Sequence, residues 1–393
     1  MNDLSSSRVP INVCYLTTFI GDYHAPRLKR LAEDLRTLNG SLKLAQFNER
    51  SEFYDHAQVR RQQFLRFLDV TRFRSPKGIA LIRSVWTFLK TEKPAHIFVL
   101  GYSDPIALTA LAFAKLFGRK IYFMSDSKAD DQPRARRSEF AKKRIISCFD
   151  GALVAGKRHC DYFTSLGLTK PIETGYDVVD NRYFAERAGQ FSRKLSLLHR
   201  LAVIPSKYIL CVSRLVHRKR VDRVLRIFAD SGIAAQGYKL VVIGDGIESS
   251  RLHSLADERN LSKCIVHIRS VANHSMPAFY AGASAIILGS EYDQWGLCIN
   301  EAMACGVPAI VSARCGVAYE IVHRSTGIVF DGDDIGPAVA GLKRIAADGE
   351  YAGMLARACV SEMRKWDLDR FSSAAIRLMG KTPAHRLVAS PTQ

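Results

Sequence analysis

The chain has 393 residues, 47% hydrophobic and 24% charged, which suits a globular protein with room for two ordinary domains. No apolar run is long enough to span a bilayer and Met1 to Arg8 is polar, so a cytoplasmic location is expected. The 57 Lys and Arg against 38 Asp and Glu give +19, which implies an anionic partner: nucleic acid, a membrane surface or a phosphorylated substrate.

The first domain opens on Ile11 to Thr18, an apolar β-branched run, followed by a turn with Gly21 and His24 and a periodic helix over Pro26 to Leu38. Strands recur at Leu42 to Phe47, His96 to Leu100, Lys120 to Met124 and Ala152 to Ala155, with helix-length segments between them. This alternation predicts a doubly wound parallel α/β sheet. Ligands bind such sheets outside the strand C-termini, so Gly21 to His24, Gly101 to Asp104 and Ser125 to Lys128 are expected to line half of a cleft. Two further segments, Arg60 to Lys90 and Arg134 to Phe149, interleave Arg and Lys with aromatics. They read either as basic amphipathic helices that lie on anionic lipid or as solvated faces packed on the sheet. Gly175 to Asn181 closes the domain, and polar Asn181 to Arg200 reads as a connection, with the boundary near residue 195.

The second domain begins with a strand at Tyr208 to Ser213 and a basic turn, Arg214 to Arg220. Further strands are predicted at Lys239 to Ile243, Cys264 to Ile268, Ala285 to Leu288, Pro308 to Val311 and Gly327 to Phe330. The lone Gly244-Asp245-Gly246 after a strand is no G-x-G-x-x-G, which disfavours an NAD enzyme. Asp331-Gly332-Asp333 reads as turn chemistry rather than a metal site. The nine cysteines, odd in number and without metal-type or CxxC spacing, read as reduced, with Cys14, Cys211 and Cys264 in strands. Ala352 to Met379 reads as helical.

The most informative stretch is Ser284 to Ser312. An apolar strand ends at Leu288, a loop with Gly289, Ser290, Asp293 and Gly296 follows, and Leu297 to Ala304 is built of helix formers that Gly306 stops. A helix that starts where a parallel strand ends offers free N–H groups and a positive dipole end to a phosphate. Asp293 and Glu301 flank that position; taken alone, they also suit an N-cap and a solvated helix residue.

The string Asp293-Gln294-Trp295-Gly296-Leu297, then Asn300 to Pro308, resembles the signature of family 4 (group 1) retaining glycosyltransferases, which have the GT-B fold. That signature is Glu, any residue, Phe, Gly, four residues and Glu, followed by Ala-Met-Ala-x-Gly-x-Pro; here Asp293 and Trp295 stand for the first Glu and the Phe. The resemblance implies two Rossmann-like domains facing each other across a cleft. Residues 1–195 would bind the acceptor and 196–393 a nucleoside diphosphate sugar, with the last helix crossing back to the first domain. It implies sugar transfer to an acceptor hydroxyl with retention, in polysaccharide or glycolipid assembly, without a metal or other cofactor. Arg214 and Lys219 would hold the diphosphate, Glu301 the ribose, Asp293 the transferred sugar, and the backbone near Ser270 and Val271 the base. Gly21, Gly244, Trp295, Gly296 and Leu297 complete the expected donor contacts. On the acceptor side, where the family often has a His, either Asp126 or His24 takes the catalytic place. The expected partners are a nucleoside diphosphate sugar, a glycan or lipid-linked acceptor and an anionic membrane surface. The rivals are an epimerase or sugar-phosphate synthase on the same fold, a non-catalytic nucleotide-sugar binder, and a nucleic-acid-binding protein. The last is disfavoured because no recognition module is present.

Overall fold

A computed structural model describes residues 10–49, 63–131, 136–194 and 204–383. The first sheet has seven parallel strands in the order β3-β2-β1-β4-β5-β6-β7. They are β1 Ile11–Thr17, β2 Gly40–Gln46, β3 Asp69–Arg72, β4 His96–Leu100, β5 Lys120–Ser125, β6 Gly151–Val154 and β7 Ile172–Thr174. Between them run α1 His24–Thr37, α2 Gly78–Glu92, α3 Pro105–Leu116, α4 Arg136–Ile146 and α5 Lys157–Ser165, and α6 Asn181–Ser192 follows β7. Strands covered on both faces must be apolar throughout, and the wholly buried β6 shows why these runs read as continuous rather than alternating.

The second sheet has six parallel strands in the order β10-β9-β8-β11-β12-β13. These are β8 Tyr208–Val212, β9 Lys239–Ile243, β10 Ile265–Ile268, β11 Ala285–Leu288, β12 Ala309–Ser312 and β13 Gly327–Phe330. The helices of this half are α7 Val221–Ser231, α8 Ser249–Glu258, α9 Met276–Ala281, α10 Leu297–Ala304, α11 Gly336–Ala347 and α12 Gly349–Met363. A last helix, α13 Leu368–Leu378, follows.

Several expectations change. The basic segment from Arg60 to Lys90 is not one helix. Val70 and Thr71 pair with Leu44 and Ala45 to make β3, an edge strand, and α2 begins only beyond Pro76. Arg60, Arg61 and Arg134 lie outside the described residues, as does the boundary expected near 195. The supposed connection after Asn181 is largely α6, capped by the Asp180 side chain on the Tyr183 N–H. Cys264 ends a short 3-10 turn instead of lying in β10. All nine cysteines are free thiols.

One apolar cluster runs without interruption from the first sheet through α1, α6 and α13 into α10 and the second sheet. Helix α13 packs on α1. The Ser372 hydroxyl donates to Asp34 (2.7 Å), Arg30 pairs with Asp369 (3.0 Å), and Arg370 donates to the Thr174 hydroxyl (2.7 Å). Just before it, Trp366 lies against Trp295 with ring centroids 5.3 Å apart, and Asn181 donates to the Trp366 carbonyl (3.0 Å). Removing so large a buried ring leaves a cavity between the two halves, so Trp366→Ala is expected to cost about 3–5 kcal/mol in denaturant unfolding. A change below about 1 kcal/mol in that measurement would show that the indole does not help join the domains.

Candidate active site

Two cavities open at the C-terminal ends of the facing sheets. The larger, about 790 Å³, lies against the second sheet; the smaller, about 530 Å³, lies in the first domain. Tyr23, Asp126, Asp177 and Leu297 line both, so the two meet there.

The larger cavity is built by loops that follow β8, β9, β10 and β11. Gly244, at φ 143°, lets the end of β9 touch the loop after β8, since a Cβ there would lie 1.9 Å from the Ser213 carbonyl oxygen. That contact fixes the path of Ser213 and Arg214 along the cavity wall. Beyond them a short turn brings Lys219 to Asp293, whose carboxylate it contacts directly as a nearly buried ion pair. Ser290 donates to the same carboxylate oxygen at 3.4 Å. Gly296 starts α10 at φ 115°, where a Cβ would press on the Leu288 side chain at 3.0 Å. The α10 N-terminus therefore opens at the wall where Lys219 and Asp293 stand. Glu301 is 2% exposed, and its Oε2 accepts from the Tyr280 hydroxyl at 2.6 Å. Arg214, Ser270 and Val271 lie on the same wall.

On the first-domain side His24 begins α1. The Gly21 N–H donates to its Nδ1 (3.3 Å), so the neutral ring carries its proton on Nε2, which faces the Tyr176 hydroxyl at 3.3 Å. Burial, with Arg27 nearby, lowers the His24 pKa to about 3 and keeps the ring neutral. Asp126 sits in the loop after β5 and accepts from the Gln294 side chain at 3.3 Å. Burial, reinforced by the Asp177 carboxylate and then by Asp131 and Asp293, pushes its carboxyl up to about 8. Burial also raises Asp177 to about 6, against the pull of Arg27, 3.5 Å away.

Arg214, Lys219, Gly244, Ser270, Val271, Asp293, Gly296, Leu297 and Glu301 all border the larger cavity, and Asp126 borders both. Gly21, expected beside the donor, borders the smaller cavity with His24 because its N–H is used to orient that ring. Trp295 borders the larger cavity, but its ring packs between Trp366 and His159 and its N–H donates to Asn300 (2.8 Å), since an indole gains most where it is buried. Lys128 is turned away from both cavities into ion pairs with Asp130 (2.8 Å) and Asp131 (3.2 Å). Asp333, in the Asp-Gly-Asp turn, pairs with Arg223 at 2.9 Å. Asp177 and Arg27 are not among the expected wall residues, nor is Tyr280 expected as the donor behind Glu301; each matters through a partner distant in the chain.

A carboxyl raised from its unfolded value near 3.8 contributes stability that is present at low pH and lost as pH rises through its folded value. For Asp177 and Asp126 that window runs from about 4 to 8. Asp126→Asn is therefore expected to raise the melting temperature by roughly 2 °C or more at the alkaline end and to change it little at the acid end. Equal shifts at both ends in a calorimetric pH series would show that Asp126 is not held protonated.

Residues 203–365 match the family model described as glycosyl transferases group 1. A GDP-mannose-dependent alpha-(1-6)-phosphatidylinositol monomannoside mannosyltransferase of Mycolicibacterium smegmatis is 26% identical over 170 residues, 42% of this chain and 44% of that protein. A D-inositol 3-phosphate glycosyltransferase of Salinispora arenicola is 22% identical over 299 residues, 71% of this chain and 64% of that one. The match thus spans less than half of the first relative's length and under two thirds of the second's. Among solved structures, Anabaena HepE in complex with UDP and glucose superposes with a TM-score of 0.73 at 14% identity, over 94% of this chain and 99% of that one. The sucrose-phosphate synthase of Thermosynechococcus elongatus gives 0.70 at 15% identity, over 94% and 98%. These likenesses establish the fold, two facing Rossmann-like domains of the GT-B kind.

Proposed function

From a group 1 glycosyltransferase domain set in a GT-B frame, we propose that this chain moves a sugar from a nucleoside diphosphate sugar to an acceptor hydroxyl with retention at the anomeric carbon. The observation that carries the reading is the larger cavity, which brings Arg214 and Lys219 of the connection after β8 together with the N-terminus and Glu301 of α10. In the reaction the bond from the anomeric carbon to the diphosphate oxygen breaks, the bond to the acceptor oxygen forms on the same face, and the acceptor hydroxyl proton passes to the leaving diphosphate. Charge grows on the leaving diphosphate. Arg214, Lys219 and the α10 N–H groups are fixed donors aimed at that charge. Because they supply the positive charge themselves, transfer is expected to need no metal. Glu301, oriented by Tyr280, would accept from the ribose hydroxyls, and Asp293 from the transferred sugar. The acceptor would enter by the smaller cavity and reach the sugar past Asp126 and Leu297.

Arg214→Ala or Lys219→Ala should each lower turnover by about two to three orders of magnitude with the fold intact. Loss of one charge-assisted hydrogen bond, in Glu301→Gln, should weaken UDP or GDP binding roughly ten- to a hundred-fold in calorimetry. Wild-type affinity in Glu301→Gln, together with full turnover in both basic variants, would remove the donor site from this cavity.

We also propose that the first domain presents the acceptor at an anionic membrane surface on the cytoplasmic side. Helices α2 and α4 cover the same face of the first sheet. Outward they expose Ile79, Ile82 and Phe140, beside Lys77, Arg83, Lys143 and Arg144, the last lying over the Phe140 ring at 5.1 Å. Each such cation near an anionic leaflet contributes about 1 kcal/mol, so binding should be reversible and salt-sensitive. Cosedimentation with anionic but not neutral vesicles at low salt is the expected result; a protein left in the supernatant with both would rule this surface out.

A further inference from the structure

Taking the smaller cavity as the acceptor's seat, as the functional reading does, we propose that the acceptor head it receives carries an amino group, and that Asp126 and Asp177 are the carboxylates that take the ammonium.

Asp126 and Asp177 line both cavities where these meet, Asp293 lines the larger one, and Asp131 lies buried close enough to act on Asp126. Three of them have a basic partner. Asp177 has Arg27 at 3.5 Å, Asp131 has Lys128 at 3.2 Å, and Asp293 has Lys219. Asp126 has the Gln294 amide at 3.3 Å, and among the described residues no ion pair reaches it. The second carboxylate oxygen of Asp177, Oδ2, has no hydrogen-bond partner although the residue is only 4% exposed and borders both cavities. A buried carboxylate oxygen in that position needs a donor, and one with positive charge answers both observations.

The rest of the smaller cavity points the same way. Its third acid is Asp104, which caps α3 through the N–H groups of Ile106 (2.9 Å) and Ala107 (3.2 Å). Its one guanidinium, Arg27, is buried: Nε donates to the Val178 carbonyl at 2.8 Å, the group lies over the Tyr176 ring at 5.1 Å, and Nη2, which has no hydrogen-bond partner, stands 3.5 Å from Asp177. His24 is neutral. A chain of +19 thus lines this cavity with three acids and one buried guanidinium, held beside Asp177. An ammonium between Asp126 and Asp177 draws the proton from Asp126 and pairs with both carboxylates, which a phosphate or carboxylate on the acceptor head cannot do. Burial first, and the Asp177 carboxylate second, raise the Asp126 carboxyl, and an adjacent cation would lower it.

The test is calorimetry on the full chain with three sets of methyl glycosides: 2-amino-2-deoxy sugars of gluco, galacto and manno configuration, their neutral parents, and the corresponding uronic acids. Each is titrated at neutral pH with and without UDP or GDP. At least one amino glycoside is expected to bind tenfold or more tighter than its neutral parent. Its binding heat should depend on the buffer, because Asp126 releases its proton. The uronic acids should bind more weakly than either. Asp126→Asn, with its melting checked, should bring the amino glycoside down to the neutral level. Equal binding of all three classes, tighter binding of a uronic acid, or no binding of any amino glycoside overturns the proposal whatever the variant does. UDP and GDP binding is read separately: if neither binds, the functional reading fails, and if one binds without amine selectivity, only this inference does.

Discussion

The burial of Trp295 between the two halves of the molecule is the constraint on which the site depends. Its ring is 2% exposed, held by Trp366 from the returning tail and by His159 from the first domain. Gly156 donates its N–H to His159 Nδ1 (3.2 Å), so the protonated Nε2 donates to the Gln294 carbonyl at 2.9 Å. Burial lowers the His159 pKa to about 4, and the neutral ring is what this double role needs. Asn300, which accepts from the indole, donates in turn to the Asp177 carbonyl at 3.3 Å. The loop that carries Asp293 belongs to the second sheet by sequence. Its position is set by the first domain.

That arrangement explains how a protein of high positive charge keeps an acidic centre. Much of the excess lies on outward faces such as α2 and α4, where water and salt screen it. At the cavities the cations are few and directed. Arg158 spans the domains, donating to the Ala313 carbonyl (2.9 Å) and the Cys315 carbonyl (3.1 Å) while pairing with Asp130 (2.8 Å). Glu320 answers from the other side by accepting the Lys157 N–H at 3.0 Å, at the positive end of α5. Net charge therefore gives the sign of the outer field, while the sign inside the cleft follows from pairing.

What could be read from the sequence follows the same physics. Buried parallel strands are mostly apolar, so β4, β9, β11 and the edge strand β13 fall where their residues predict, and α10 is bounded by the glycines that permit and stop it. The edge strands β3 (Asp-Val-Thr-Arg) and β7 (Ile-Glu-Thr) carry one strongly apolar residue each, so no apolar run marks them. The signature string located the larger cavity, since its residues are contiguous or nearly so. Nothing local marks Asp177 or Arg27, whose meaning comes from each other across 150 positions and from the closing of the second domain upon them. Nor does spacing reveal that Trp295 joins domains, because Trp366 lies far along the chain. Contacts that create a cavity between domains are the part that linear pattern leaves out.

The Lys219–Asp293 pair shows how such a site prepares for its ligand. A nearly buried ion pair contributes little to stability, because the loss of hydration offsets most of the attraction. Its value lies in placement. Lys219 is already stripped of water and held at the wall by Asp293, so an arriving diphosphate meets an ammonium whose desolvation and ordering were completed during folding. Asp293 in turn has the Ser290 hydroxyl beside the same oxygen, so it keeps a donor when Lys219 shares its protons with the diphosphate. Lys219 reaches the short Asp293 side chain directly, and the loop beyond lies close enough for Gly316 to pack against Gln294, where a Cβ would lie 1.9 Å from the carbonyl oxygen. Folding sets the electrostatics of this cavity wall, and it does so through a loop that is held between the two domains.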